Sequence, residues 1–389
     1  MEYKIIRLKD KSLKSLKRRH PWVFSGGILN ASSELEEGEK VWVADSKGKI
    51  LGTGQFGKRS IAVRMLSFEK KIIDTDFYTK RFKNAVETRK LLGIPDTQTT
   101  AYRLIHGEGD GLPGLIVDIY HKLAVVQTHS RGMAMDFELI ANGLRSNLKV
   151  DHVAHTSAEK GVETPDFTGI PEEIEFLENG HRFLSNWKKG QKTGFFLDQR
   201  DNRHLLGTLS KGKKVLNAFS YTGGFSVYAL GAGASEVHSL DSSASALALS
   251  EKHMELNGLP TEKHRTIQAD ALEFFKNEDL SAYDILVIDP PAFAKHRSAR
   301  HKAVQAYKRL NAAAMKKAKS GSLILTFSCS QVVTPDLFEN TITAAAVEVG
   351  KNVRVLKHLH QPADHPISIF HPEGEYLKGL LLKVDFLHS

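Results

Sequence analysis

Val215-Leu-Asn-Ala-Phe-Ser-Tyr-Thr-Gly-Gly-Phe-Ser-Val-Tyr-Ala-Leu230 carries a strand, a turn and a helix in close succession. Residues 215–218, apolar at three of four positions and preceded by lysines, read as a short strand. Gly223 and Gly224 then stand at a strand-to-helix turn, where the missing Cβ lets backbone approach a ligand closely. Helix is predicted from 224 to 230. Eighteen residues past Gly223, a second apolar run at 236–240 ends in Asp241. A carboxylate at that place is suited to accept hydrogen bonds from ribose hydroxyls. The glycines do not spell G-x-G-x-x-G, so a dinucleotide is disfavoured and another nucleoside-containing cofactor is expected.

The same alternation continues downstream. A helix at 243–257 stops at Gly258, and a strand at 266–268 precedes a short helix at 271–277. Ile285-Leu-Val-Ile288 then ends in Asp289-Pro-Pro-Ala-Phe293. A helix at 299–318 leads to Leu323-Ile-Leu-Thr-Phe-Ser-Cys-Ser330, a helix at 336–349 follows, and strands at 353–359 and 377–384 complete the pattern. Strand and helix in alternation argue an α/β fold with a doubly wound, mostly parallel sheet. Ligands of such sheets bind beyond the carboxyl ends of the strands. Asp289 and Cys329 are therefore expected at one edge. A thiol there suits covalent attack on an electron-poor carbon, although a buried cysteine often only packs. Pro290 and Pro291 stiffen the exit from the sheet, and Phe293 is placed to stack on a planar ring.

Upstream the texture differs. Residues 1–75 carry short β-rich runs at 41–44, 50–53 and 61–65 separated by turn residues, which reads as a small β-barrel. Residues 76–185 open with an amphipathic helix at 77–92 closed by Gly93 and Pro95. They continue with strands at 114–118 and 123–127 and a helix at 136–148, an α+β middle domain, before a loop marked by Pro165, Gly169 and Pro171. Three domains are thus expected, at 1–75, 76–185 and 186–389.

The chain has 389 residues and a net charge of +9. Residues 1–75 hold 16 Lys and Arg against nine Asp and Glu, a surplus of +7. Lys17, Arg18 and Arg19 lead there into His20-Pro-Trp-Val-Phe24. Basic residues beside aromatic ones suit a phosphate backbone with bases to stack on; a solvated helix with Leu13 and Leu16 turned inward would show the same charges. One cysteine excludes an internal disulfide and a cysteine-based zinc cluster, and fits a reducing cytoplasm. No signal peptide or membrane span is read. Gly207-Thr-Leu-Ser-Lys-Gly-Lys213 imitates a phosphate loop, but Lys214 follows it and it precedes a strand, so an ATPase is not supported. The histidines show no ligand spacing, so no metal is expected.

Several motifs together resemble class I S-adenosylmethionine-dependent methyltransferases: Phe219–Phe225, Asp289–Phe293, Thr326-Phe-Ser-Cys-Ser330 and Phe195-Phe-Leu-Asp-Gln-Arg-Asp-Asn-Arg203. His20-Pro-Trp-Val-Phe-Ser-Gly26 resembles the start of a PUA barrel, and Arg103-Leu-Ile-His-Gly-Glu-Gly-Asp-Gly-Leu-Pro-Gly114 resembles the middle domain of the same family. The resemblance runs over nearly the whole chain and points to bacterial 23S rRNA cytosine-5 methyltransferases. It implies a Rossmann-like methyltransferase domain, an N-terminal PUA barrel and an α+β middle domain. It further implies that Tyr221, Gly223 and Gly224 line the methionine end of S-adenosylmethionine. Asp241 would hold the ribose, Asp270 would sit by the adenine amine, and Asp198, Gln199 and Arg200 would shape the entrance. Cys329 would be the nucleophile and Asp289 the acid near N3, bordering cofactor and base alike. Phe293, Lys17, Arg18, Arg19, His20 and Trp22 would contact 23S rRNA, naked or in a large-subunit precursor. A homodimer is compatible with the sequence, which does not fix the oligomeric state. The chain departs from the family at Ala292, where a lysine is expected. Asp-Pro-Pro followed by an aromatic also resembles enzymes that methylate ring or amino nitrogens, so a guanine-N7 methyltransferase with a structural Cys329 is the second reading. A non-catalytic RNA-binding assembly protein is the third.

Overall fold

The computed structural model describes residues 2–32, 34–164, 169–188, 193–294 and 296–386; Pro165 of the expected loop lies outside them. These residues form two compact units, one of residues 1–180, 184–197 and 363–374, the other of residues 181–183, 198–362 and 375–389.

The first unit begins with six strands: β1 (Lys4–Leu8), β2 (Trp22–Phe24), β3 (Ile28–Asn30), β4 (Lys40–Ala44), β5 (Ile50–Phe56) and β6 (Ile61–Ser67), with helix α1 (Asp10–Lys17) between the first two. They form one sheet in the order β2-β6-β5-β4-β1-β3. Ile6, Leu8, Val41, Val43, Val63 and Met65 fill its interior, joined by Leu16 of α1. The remainder adds α2 (Thr75–Leu91), β7 (Ala101–His106), β8 (Leu115–Tyr120), β9 (Leu123–Thr128), α3 (Arg131–Met135), α4 (Phe137–Asn147) and β10 (His152–Ser157). Strands β7 to β9 are an antiparallel meander to which β10 adds in parallel. Phe82 of α2 and Leu144 of α4 share a core with Val117 and Val126. Asp74 starts α2 by accepting the Phe77 N–H at 2.8 Å. Strands β11 (Glu173–Glu178) and β12 (His181–Asn186) follow, and the division between the units falls within β12.

The second unit is built on seven strands, β13 (Lys214–Ala218), β14 (Glu236–Asp241), β15 (His264–Gln268), β16 (Ile285–Ile288), β17 (Ser322–Ser328), β18 (Lys351–His360) and β19 (Lys378–Phe386). Their order is β15-β14-β13-β16-β17-β19-β18. The first five are parallel, and β19 runs antiparallel between β17 and β18. The helices are α5 (Arg200–Leu209), α6 (Gly224–Gly231), α7 (Ala244–Leu256), α8 (Ala271–Asn277), α9 (Arg300–Lys317) and α10 (Pro335–Glu348). Phe275 of α8, Tyr307 and Met315 of α9 and Phe338 of α10 pack on Leu216, Leu286, Ile288 and Ile324 of the sheet. On α6, Ser226 bonds Asn217 at 2.9 Å and Ser239 at 2.7 Å, a polar seam against the strands. With both faces covered, the central strands are mostly apolar, wholly so in β16, and the buried polar residues of β13 and β14 are met by hydrogen bonds such as those of Asn217 and Ser239.

Candidate active site at the carboxyl edge of the sheet

The turn between β13 and α6 is strained and firmly held. Phe219, Tyr221 and Gly223 have φ of 59°, 47° and 77°, a left-handed region that side chains other than glycine adopt at a cost. The Ser220 N–H donates to Leu240 O at 3.0 Å, and the Gly223 N–H to Ser220 O at 2.9 Å. Gly223 has a second reason to lack a side chain, since a Cβ there would lie 2.0 Å from Ser250 Oγ of α7. Asp241, at the end of β14, accepts the Tyr221 N–H at 2.8 Å on one oxygen and the Ser243 N–H at 2.9 Å on the other. Each oxygen keeps a lone-pair direction for a further donor. Ser220 Oγ is buried with no hydrogen-bond partner among the described residues. A turn presenting an oriented carboxylate and an unsatisfied hydroxyl fits a polar ligand carrying hydroxyl and amino groups.

Asp270 caps α8, accepting the Glu273 N–H at 2.9 Å, and is otherwise exposed at the same edge. Asp198 and Gln199 lie in the turn before α5 and Arg200 begins that helix, all three 2–4% exposed. Tyr376 donates to Asp198 Oδ2 at 2.5 Å, and Asn202 donates to Gln199 Oε1 at 2.6 Å. Asp198 and Gln199 are thus each held by a side chain of the same unit.

Strands β16 and β17 run in register to Ile288 and Thr326, so Asp289 and Cys329 leave the sheet at one edge, both half-buried. The segments they begin are tied together: the Ala294 N–H donates to Ser330 Oγ at 3.4 Å, and Tyr307 hydroxyl meets that oxygen at 3.0 Å. Burial raises the Tyr307 phenol above its ordinary value. Phe293 lies 4.7 Å from the Tyr307 ring at 55°, so part of its surface is taken by packing and only the remainder can meet a base. Lys378, the first residue of β19, is 3% exposed and donates to Ser330 O at 2.7 Å. Desolvation brings its ammonium down to about 8 from 10.5, opposed by Cys329 and Glu375. Sequence reading missed Lys378; the signal was a cation heading an apolar run.

Lys17, Arg18, Arg19, His20 and Trp22 all belong to the first unit. The three basic residues are exposed, and Arg19 has a φ of 58°. Trp22 is not an open stacking platform. Its Nε1 donates to Glu108 Oε1 at 2.7 Å and its ring meets His371 at 4.4 Å. The exposed aromatic of the segment is Phe24, at 50%. Strand alternation sets both rings on one face, opposite buried Val23, so the difference lies in what covers Trp22, namely Glu108 and His371.

Residues 161–381 match the S-adenosylmethionine-dependent methyltransferase family, and residues 6–68 match the PUA-like domain. A curated relative from Alteromonas mediterranea, named ribosomal RNA large subunit methyltransferase I, is 37% identical over 385 residues, 95% of this chain and 96% of that protein. The protein of the same name from Shewanella denitrificans is 38% identical, with 97% and 99% covered. Two solved structures, SMU.776 described as a methyltransferase complexed with SAH and a SAM-dependent methyltransferase described from Streptococcus mutans, each align with a TM-score of 0.85 at 25% identity. Each alignment covers 98% of this chain and 100% of the other. Among the described residues, no helix is long and apolar enough to cross a membrane.

Proposed function

Because the chain belongs to the S-adenosylmethionine-dependent methyltransferase family, we propose that it methylates C5 of a cytosine in 23S ribosomal RNA through a covalent adduct on Cys329. The observation that carries this reading is the shared edge of β16 and β17, which holds a carboxylate and the chain's single thiol beside a buried lysine. The names of the relatives supply the large-subunit RNA. We assign the cofactor to residues whose chemistry fits it: Tyr221, Gly223 and Gly224 at the methionine end, Asp241 at the ribose, Asp270 at the adenine, and Asp198, Gln199 and Arg200 at the entrance. When bound, S-adenosylmethionine supplies C5 with an electrophilic methyl group carried on a sulfonium.

Cys329 acts first. C5 of cytosine is a poor nucleophile until its ring is made electron-rich, and a thiolate adding to C6 does this. The S–C6 bond forms as the C5–C6 double bond opens toward C5. Asp289, as its acid, supplies a proton or hydrogen bond at N3 to take up the charge. After methylation the C5 proton leaves to a base, the double bond reforms and the S–C6 bond breaks. A target within paired RNA must first be flipped from its stack, and the uncovered part of Phe293 can then meet it. Lys17, Arg18, Arg19 and Phe24 grip the phosphate backbone and a base from the first unit. The substrate is naked 23S rRNA or a large-subunit precursor, and the chain works as three domains, at 1–75, 76–185 and 186–389.

The test pairs wild type with Cys329→Ala, each incubated with labelled S-adenosylmethionine and unmodified 23S rRNA and read by nucleoside mass spectrometry. 5-Methylcytidine from wild type and none from the variant is expected. 7-Methylguanosine from both would overturn the assignment and leave Cys329 structural.

A further inference from the structure

We propose that Lys378 is a positioning residue for the nucleophile: its buried ammonium is the counter-ion that holds the Cys329 side chain as a thiolate. The inference rests on the cytosine-5 reading for its purpose, and on geometry for its substance. Lys378 pairs in register with Ser328, the residue before Cys329, and its Nζ donates to the carbonyl of Ser330, the residue after it. The ammonium is therefore anchored across the short segment that presents the thiol. At 3% exposure it has little water to solvate it, and a buried cation demands an anion. Among the described residues no carboxylate forms an ion pair with it.

The groups facing it are few. Glu375, three residues earlier, also favours its charge, less than Cys329 does, and that carboxylate is shared with His360 Nδ1 at 3.4 Å. His360 is also its backbone partner on β18, with an exposed side chain. Tyr307 of α9 reaches it only through Ser330. Of the two groups that favour the charged lysine, Cys329 acts more strongly than Glu375. By reciprocity the ammonium favours the thiolate. No proton need be lost to a third group, since the S–H proton passes to solvent while the lysine stays protonated.

The chain holds one cysteine, so alkylation by iodoacetamide reports on Cys329 alone, with neither RNA nor cofactor present. The wild-type alkylation rate should rise with a midpoint well below the ordinary thiol value of about 8.5. Lys378→Met should raise that midpoint by about one pH unit and slow alkylation at pH 7 about tenfold, one pH unit being tenfold in thiolate. Lys378→Arg, which keeps the charge, should retain the low midpoint. In methyl transfer, Lys378→Met should lower kcat and move its acid limb upward while KM for RNA holds. A wild-type midpoint at or above 8.5, or one unmoved in Lys378→Met, overturns the inference. If 5-methylcytidine is still formed through Cys329, that failure stands apart from the proposed function. 7-Methylguanosine with a lysine-dependent midpoint would instead sink the proposed function and leave the ion pair standing.

Discussion

Arg89 and Arg103 in the first unit and Lys378 in the second face the same physical problem, a cation out of reach of water, and solve it in opposite ways. Arg89 is clasped by both oxygens of Asp110 at 2.7 and 2.8 Å, and also donates to Arg103 O and Asp364 O. Arg103 is gripped by both oxygens of Asp118 at 2.7 and 2.8 Å. Planar guanidinium groups and carboxylates meet in pairs, so each buried charge is fully answered. Lys378 donates to a carbonyl, and among the described residues no carboxylate forms an ion pair with it. The first unit answers its buried charges with carboxylates, and the proposed answer at Lys378 is an anion formed on Cys329.

The contrast can be broken first where pairing is complete. Asp110→Ala leaves Arg89 buried without its partner, and should lose about 3–5 kcal/mol in urea unfolding. A loss below about 1 kcal/mol would mean that the pair does not hold the first unit together. Lys378→Met should do the reverse. The folded protein binds this proton up to about pH 8, the unfolded chain up to 10.5. Between those values the unfolded chain holds more protons, so wild-type stability rises with pH across that window. Below pH 8 the native state therefore bears a disfavoured charge worth about 3 kcal/mol. The Ser330 carbonyl left without its donor takes back about 1–2 kcal/mol. The methionine variant should accordingly gain about 1–2 kcal/mol at pH 7, a margin that fades toward pH 10.5. A destabilised variant at pH 7 would show that Lys378 is held for structure. The exposed cations complete the series: replacing Lys17, Arg18 and Arg19 with alanine should leave stability within about 0.5 kcal/mol. The same change should flatten the salt dependence of RNA binding by about two to three in log–log slope. An unchanged slope would remove this patch from the RNA interface.

How far the sequence spoke for itself follows from the same accounting of polar groups. Helix α7 is legible because local chemistry defines it: Ser243 accepts the Ala246 N–H at its start, and Gly258, at a φ of 62°, stops it. Strand β16 is legible because burial on both faces leaves it wholly apolar, and β17 because Leu323, Ile324, Leu325 and Phe327 carry most of its length. Strand β7 is not, because Arg103 interrupts it; the register that sets Arg103 opposite Asp118 on β8 is what makes a charge acceptable there. Helix α5 hides for a similar reason, with Arg200, Asn202 and Arg203 all buried. At the candidate site, the turn at 219–223 and the ends of β14, β16 and β17 could be placed from spacing. Lys378 could not, since its contact with the Cys329 segment joins β19 to β17 across nearly fifty residues of chain.

The place of β19 bears on how the protein comes into being. It is the last of the seven strands to be synthesised, yet it lies inside the sheet, and β18 has no other partner in it. Until β19 has emerged from the ribosome, β17 presents an unpaired edge carrying Ile324, Leu325 and Phe327, residues buried in the finished fold, and such an edge invites pairing with the wrong chain. The same strand delivers Lys378. A nascent chain therefore holds Cys329 before the Lys378 bond to Ser330 O can form, and the segment around the thiol takes up its finished setting only when the sheet closes.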